Sequence, residues 1–365
     1  MSIKQLGFIG LGLIGGSIVK TTKRIHPDIK MIALSGHEST VKQAYDQGLI
    51  ENNTNACIED FADCDYIFLC TPVQQNLEYI EKLKGVMKDS CILTDVGSVK
   101  GDIHQAIRNM GLESHFIGGH PMTGSEKTGL SNATAYLLEN AYYIITPTTQ
   151  TDPAVVSEFN EFIGSLGAIP LVLDYDSHDA ATAAISHLPH VIAAALVNFV
   201  KDSDDPDETM KTIAAGGFKD ITRIASSSPV MWEEICMTNK EKILQMLDVY
   251  EKQLSDIRSK ITDADASGIR NFFQSAKDYR DSLAVAPKGP IKTVFELYCD
   301  LIDEAGGIAT IATILASNNL SIKNIGIIHN REFEDGVLKI EMYDQPSYER
   351  TIVLLRKYHY TVYER

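Results

Sequence analysis

Only one tryptophan, Trp232, stands in 365 residues, and 33 basic side chains face 49 acidic ones for a net charge of −16. With no basic excess, nucleic acid and anionic membrane are poor candidates for a main partner, since neither phosphates nor headgroups find a positive patch. The six cysteines contain no Cys-x-x-Cys spacing, and some sit in apolar runs such as Ile67-Phe68-Leu69-Cys70. Buried free thiols in a reducing compartment fit this pattern better than disulfides or a zinc site. No basic-then-apolar segment opens the chain, and no apolar run approaches about 18 residues, so neither a signal peptide nor a transmembrane helix is expected. The expectation is a cytoplasmic protein without a metal.

What is present is a globular composition, 44% hydrophobic and 22% charged, in a chain long enough for two or three domains. Its first part alternates strand and helix patterns. Gln5–Ile9, Lys30–Leu34, Tyr66–Cys70, Ser90–Asp95, Phe116-Ile117 and Tyr142–Thr146 read as strands, with a helix from Ser39 to Gln47. Such a βαβ series implies a doubly wound sheet of the Rossmann kind, placed at residues 1–165.

The first strand runs into Gly10-Leu11-Gly12-Leu13-Ile14-Gly15. A Gly-x-Gly-x-x-Gly at a strand-to-helix junction gives a tight turn at Gly10, close approach of a pyrophosphate at Gly12, and helix-on-strand packing at Gly15. Free N–H groups of the first helical turn, at Leu13 and Ile14, then face the phosphates. A βα turn with no ligand is the alternative. Thr71 and Pro72, at the end of another strand, fall at the same edge of the sheet. A carboxylate commonly takes the ribose hydroxyl about 20 residues after the glycines, but here Ser35-Gly36-His37 precedes Glu38. NAD and NADP both stay open, and the lack of an arginine beside Ser35 favours NAD.

Gly118-Gly119-His120-Pro121 through Gly129 has too much glycine and proline for an amphipathic element. It reads as a rigid loop holding an imidazole and the trio Ser125, Glu126 and Lys127 in a cleft, with a solvated surface turn as the alternative. Residues 166–287 change to long helical patterns. Asp176-Ser177-His178-Asp179 reads as a helix cap, and Pro189 is expected to bend the apolar helix carrying His187 and His190 on one face. Both histidines are as compatible with packing as with a site. Lys219, Asp220 and Arg223 follow a glycine pair. Arg223 has the planar fork that grips a carboxylate, although a surface pair with Asp220 would also account for it. After the linker Pro287–Pro290, residues 291–365 read strand–helix–strand–strand–helix–strand, a ferredoxin-like α+β unit.

Five segments in this order resemble the prephenate dehydrogenase family, in the form that carries a C-terminal ACT domain. They are the glycine fingerprint, Thr94–Lys100, Gly119–Gly124, Ser186–His190 and Gly217–Ala225. The resemblance implies NAD-dependent oxidative decarboxylation of prephenate to 4-hydroxyphenylpyruvate on the route to tyrosine. It makes His120 the group that takes the ring hydroxyl's proton, Ser98 a partner of that hydroxyl, Arg223 the carboxylate clamp and His190 a substrate contact. Ser125, Glu126, Lys219 and Trp232 would line or gate the pocket. The helical domain would dimerise, further contacts would join ACT domains, and tyrosine would act there through Asp303, Gly306 and Asn324. Two departures stand out. Ser35 replaces a frequent acid, and Ala305 stands where a proline commonly precedes Gly306. Arogenate dehydrogenase is the nearest rival, another β-hydroxyacid dehydrogenase a more distant one, and a catalytically inactive amino-acid sensor the rival from another class.

Overall fold

The computed structural model describes residues 3–124, 127–283, 295–300, 306–328 and 337–364. The chain divides into two compact units, Met1–Pro290 and Ile291–Arg365.

The larger unit begins with the sheet. Its strands are β1 Gln5–Ile9, β2 Lys30–Leu34, β3 Tyr66–Leu69, β4 Ile92–Asp95, β5 Phe116–Pro121, β6 Tyr142–Pro147 and β7 Ile169–Val172. Between them lie α1 Leu13–Ile25, α2 Glu38–Asp46, α3 Val73–Leu83, α4 Gly101–Met110 and α5 Pro153–Ser165. The spatial order is β2-β1-β3-β4-β5-β6-β7. Tyr66-Ile67-Phe68-Leu69 and Ile92-Leu93-Thr94-Asp95 are buried at every position, as strands covered on both faces must be. One apolar cluster on each side, around Phe8, Phe68 and Phe162 and around Phe61, Ile67 and Ile103, closes the layers.

The sheet departs from the sequence expectation in two places. Phe116-Ile117 is not the end of a strand, because β5 continues through Gly118, Gly119 and His120 to Pro121, paired antiparallel with β6. Only glycine fits there. A Cβ on Gly119 would lie 2.6 Å from the Tyr143 hydroxyl and 2.7 Å from the Asp95 carbonyl oxygen, and one on Gly118 would overlap Thr146 Oγ1. The sheet also extends past residue 165, since β7 pairs parallel with β6 from Tyr142↔Ile169 onward.

The helices that follow are α6 Tyr175–Thr182, α7 Leu188–Ser203, α8 Thr209–Ile213, α9 Gly216–Thr222, α10 Pro229–Thr238, α11 Lys240–Thr262 and α12 Ala266–Ser282. Asp174, not the 176–179 stretch, caps α6, its carboxylate accepting from Ser177 N at 2.9 Å. Pro189 is accommodated by a π-helical turn at Ala183–His187 that joins α6 to α7. Tyr175–Ser203 thus forms a 29-residue helix whose most apolar 18-residue window has a mean hydropathy of 1.6, enough by length and composition alone to cross a membrane, although Ser186, His187, Pro189 and His190 interrupt it. It holds a buried polar face (His178, Asp179, Thr182 and His187) packed within the unit. Its outward apolar side chains include Ile185 and Phe199.

The smaller unit holds β8 Phe295–Asp300, α13 Gly307–Ser317, β9 Ile322–Ile328, β10 Val337–Met342, α14 Gln345–Lys357 and β11 Val362–Glu364. Its sheet order is β11-β8-β10-β9 with antiparallel neighbours. This is the ferredoxin-like arrangement, with Leu297, Ile311, Leu315, Leu338, Ile340 and Leu355 at its centre.

Candidate functional site

The order of strands reverses around β1, with β2 on one side and β3 on the other, and ligands of open α/β sheets bind at such a switch. There Gly10 turns with φ +99°, a conformation costly for any side chain, and its Cβ would strike the Cys70 carbonyl. A Cβ on Gly15 would overlap Gly10 O, so α1 sits directly on the loop. A Cβ on Gly12, in contrast, would meet nothing within 4 Å. The N-terminus of α1 has no side-chain cap, leaving the first N–H groups, with Leu13 and Ile14 half-buried beside them, available to an anion. This open cradle fits a dinucleotide pyrophosphate. Across the switch Thr71 donates its hydroxyl to Asn76 Oδ1 at 2.6 Å, and Pro72 leads into α3. Glu234 of α10 accepts from Val73 N at 3.1 Å, tying the start of α3 to the helical part. At the end of β2 the backbone of Ser35 is clamped by both ends of the Asn55 amide, at 2.9 Å each.

His120 lies near the end of β5, half-buried. Its Nδ1 is 2.8 Å from His178 Nε2, and His178 Nδ1 is 2.8 Å from Asp179 Oδ1. The Asp179 carboxylate also accepts Lys100 N at 2.8 Å and Gly101 N at 2.7 Å, the opening amides of α4. Beneath them the fully buried Lys100 ammonium donates to Asp95 and, at 2.8 Å, to Gly119 O. Burial, reinforced by the neighbouring His178, Lys100 and His187, holds the His120 imidazole well below its ordinary pKa. It is neutral at physiological pH. His120 Nε2 has no hydrogen-bond partner among the described residues.

The network continues through Asn239, whose Nδ2 donates to Asp179 O at 2.9 Å and lies 3.1 Å from His187 Nδ1. Burial pushes His187 down to about 4. His187 meets Trp232 edge-on at 6.0 Å, and His190 stacks on the same indole at 3.9 Å. The Trp232 Nε1 is buried without a hydrogen-bond partner among the described residues. A cleft of about 640 Å³ opens here, walled by His190, Ala194, Ile224, Ser227 and Trp232. Arg223 begins the single turn that supplies Ile224 to this wall. Its side chain is exposed and forms no ion pair among the described residues, so the alternative of a pair with Asp220 is not what the fold adopts. Lys219 is exposed as well.

The remaining sequence candidates are placed less tightly. Ser98 lies half-buried in the turn between β4 and α4, with no hydrogen bond to another described residue. Ser125 and Glu126 lie outside the described residues, as does Asp303 in the smaller unit. There Gly306 adopts φ +97° ahead of α13, while Asn324 is exposed on β9 opposite Glu341. His178 and Asp179 were legible only as a cap. Their signal was an imidazole, a carboxylate and Thr182 sharing one face inside an apolar helix, where buried polar groups need partners. The partners come from β5 and α4, which local sequence does not reveal.

An uncapped helix at a sheet's switch point suits a dinucleotide, and a neutral imidazole bonded at one nitrogen and, among the described residues, open at the other suits the removal of a hydroxyl proton. These are the means of a nicotinamide-dependent dehydrogenase. Comparison with known proteins narrows the class. The family model described as prephenate dehydrogenase, nucleotide-binding domain, matches residues 18–171, and that for prephenate dehydrogenase, dimerization domain, matches 174–275. The chain is 38% identical to the prephenate dehydrogenase of Bacillus subtilis (strain 168) over 93% of this chain and 92% of that one. The crystal structure of prephenate dehydrogenase from A. aeolicus in complex with hydroxyphenyl propionate and NAD+ superposes with a TM-score of 0.73 at 30% identity, covering 78% of this chain and 99% of that one. Synechocystis arogenate dehydrogenase superposes with a TM-score of 0.69 at 31% identity, over 76% and 99%. The chain belongs to the prephenate dehydrogenase family, and it is an NAD-dependent dehydrogenase.

Proposed function

We propose that the protein oxidatively decarboxylates prephenate to 4-hydroxyphenylpyruvate, a step of tyrosine biosynthesis. The observation that carries this reading is the His120 imidazole, neutral and bonded among the described residues through Nδ1 alone, at the end of a strand in a dinucleotide-binding sheet. His120 removes the ring hydroxyl proton through Nε2, and Ser98 steadies that hydroxyl. Gly10, Gly12, Leu13, Ile14, Gly15, Ser35, Thr71 and Pro72 hold NAD, which supplies the hydride acceptor. Arg223 receives a substrate carboxylate, with Lys219 as a second cation, because a dianion in a chain of net charge −16 needs local positive charge. His190 and Trp232 form the wall against the substrate, and Ser125 and Glu126 border its entry.

Pairing through the helical part accompanies this function. Exposed apolar side chains on α7, α9 and α10 (Phe199, Ile221, Val230 and Met237) form the surface that a second copy covers. The smaller unit is read as an ACT domain through which tyrosine inhibits, with Asp303, Gly306 and Asn324 at its ligand side and contacts between copies of the unit. The cellular setting is the cytoplasm. Arogenate is the second reading, favoured by the likeness to the Synechocystis enzyme. Initial rates of NADH formation with prephenate and with arogenate, repeated with NADP and with added tyrosine, test the substrate, the cofactor and the effector. Turnover of prephenate with NAD, suppressed by tyrosine, is expected. Turnover of arogenate alone would replace the substrate, and indifference to tyrosine would leave the smaller unit without that role.

A further inference from the structure

We infer that His178, backed by Asp179, is a positioning residue that fixes the His120 tautomer and so leaves His120 Nε2 bare for the reaction. The inference deepens the proposed function and rests on His120 acting there as base.

The direction of the proton chain follows from its far end. Asp179 sits at the N-terminus of α4 and accepts two backbone N–H groups, from Lys100 at 2.8 Å and Gly101 at 2.7 Å. Two amide donors and the positive end of a helix favour the ionised carboxylate, which only accepts. The nitrogen 2.8 Å away, His178 Nδ1, therefore carries a proton and donates. A neutral His178 then has a bare Nε2, an acceptor, and the atom 2.8 Å from it is His120 Nδ1. His120 must donate there, and its second nitrogen is left without a proton. The opposite arrangement, an imidazolium at His178 donating toward His120, would move the His120 proton to Nε2 and abolish the base. His178 is 1% exposed and Asp179 5%, so water does not compete for these bonds. Thr182 Oγ1 donates to His178 O at 3.0 Å, and Asn239 Nδ2 donates to Asp179 O at 2.9 Å. Both relay residues are thus gripped through their backbones as well, which fixes the ring that His120 leans on.

Three variants and one spectrum test this. His178→Leu removes the acceptor, and kcat is expected to fall about 100-fold or more with KM within about threefold, because ring orientation matters chiefly as the proton leaves. His178→Gln keeps an oxygen near the position of Nε2 and is expected to recover at least about tenfold of that loss. In 15N spectra of histidine-labelled enzyme, with the His120 signals assigned by their loss in His120→Asn, the wild type is expected to carry its His120 proton on Nδ1. A proton on Nε2, unchanged kcat in His178→Leu, or a glutamine variant no better than the leucine one would each overturn the inference. The spectrum and the glutamine variant decide the matter even where His178→Leu fails to fold. His120→Asn separates the two levels. If it keeps normal turnover, the base assignment fails, while the tautomer measurement still reports on the relay.

Discussion

On the sheet side of the site His120, His178, Asp179 and Lys100 are joined by bonds of 2.8 Å, whereas on the helical side Arg223 and Lys219 stand exposed without an ion pair among the described residues. The difference matches the two tasks proposed for them. Moving a proton requires one nitrogen at one place, so the imidazole is held by a buried chain of donors and acceptors. Receiving an anion requires cations that have not already been neutralised, and solvent covers them until the substrate arrives. A buried network tolerates little change, while an exposed cation can be lost at the expense of binding alone.

The comparison breaks first at His120. His120→Asn is expected to lower kcat by about 10²–10⁴-fold with KM nearly unchanged, and steady-state rates that stay normal would remove the distinction. Acid is expected to act on the buried side next. His104 and His187 are held neutral by burial at about 4, against about 6.5 in the unfolded chain. Between those values the unfolded chain binds more protons, so stability rises with pH across the window and is lost as pH falls from about 6.5 toward 4. Each histidine contributes on the order of 3 kcal/mol to that loss, and urea unfolding at several pH values measures it.

On the helical side, Arg223→Ala is expected to raise KM by about 10–100-fold while leaving kcat within a few-fold, and Arg223→Lys to recover part of the loss. An unchanged KM would place the clamp elsewhere. Gly118→Ala forces a methyl group onto Thr146 Oγ1 beside His104 and Lys100, and a loss of about 1–3 kcal/mol in unfolding free energy is expected. A comparable loss from Gly217→Ala, whose Cβ would meet nothing within 4 Å, would mean the two sides are equally intolerant.

Much of this was legible beforehand because it is local. The glycine spacing after β1, the all-apolar β3 and the βαββαβ order of the tail each depend on neighbours in sequence. The strand through Gly118–Pro121 was not legible, because glycine and proline disfavour strands until a partner such as β6 and a close-packed Tyr143 demand them. Nor was His178, since an Asp-Ser-His-Asp run at a helix start has the composition of a cap.

By itself, then, the sequence determined the kinds of element, their order and the chemistry available at His120 and Arg223, because periodicity, turn residues and side-chain acidity are properties of short stretches. Only the tertiary structure decided which nitrogen of His120 is engaged, which carboxylate anchors its neighbour and that Arg223 makes no ion pair among the described residues. Those depend on burial and on groups 58 and 79 residues apart in the chain meeting at hydrogen-bond distance.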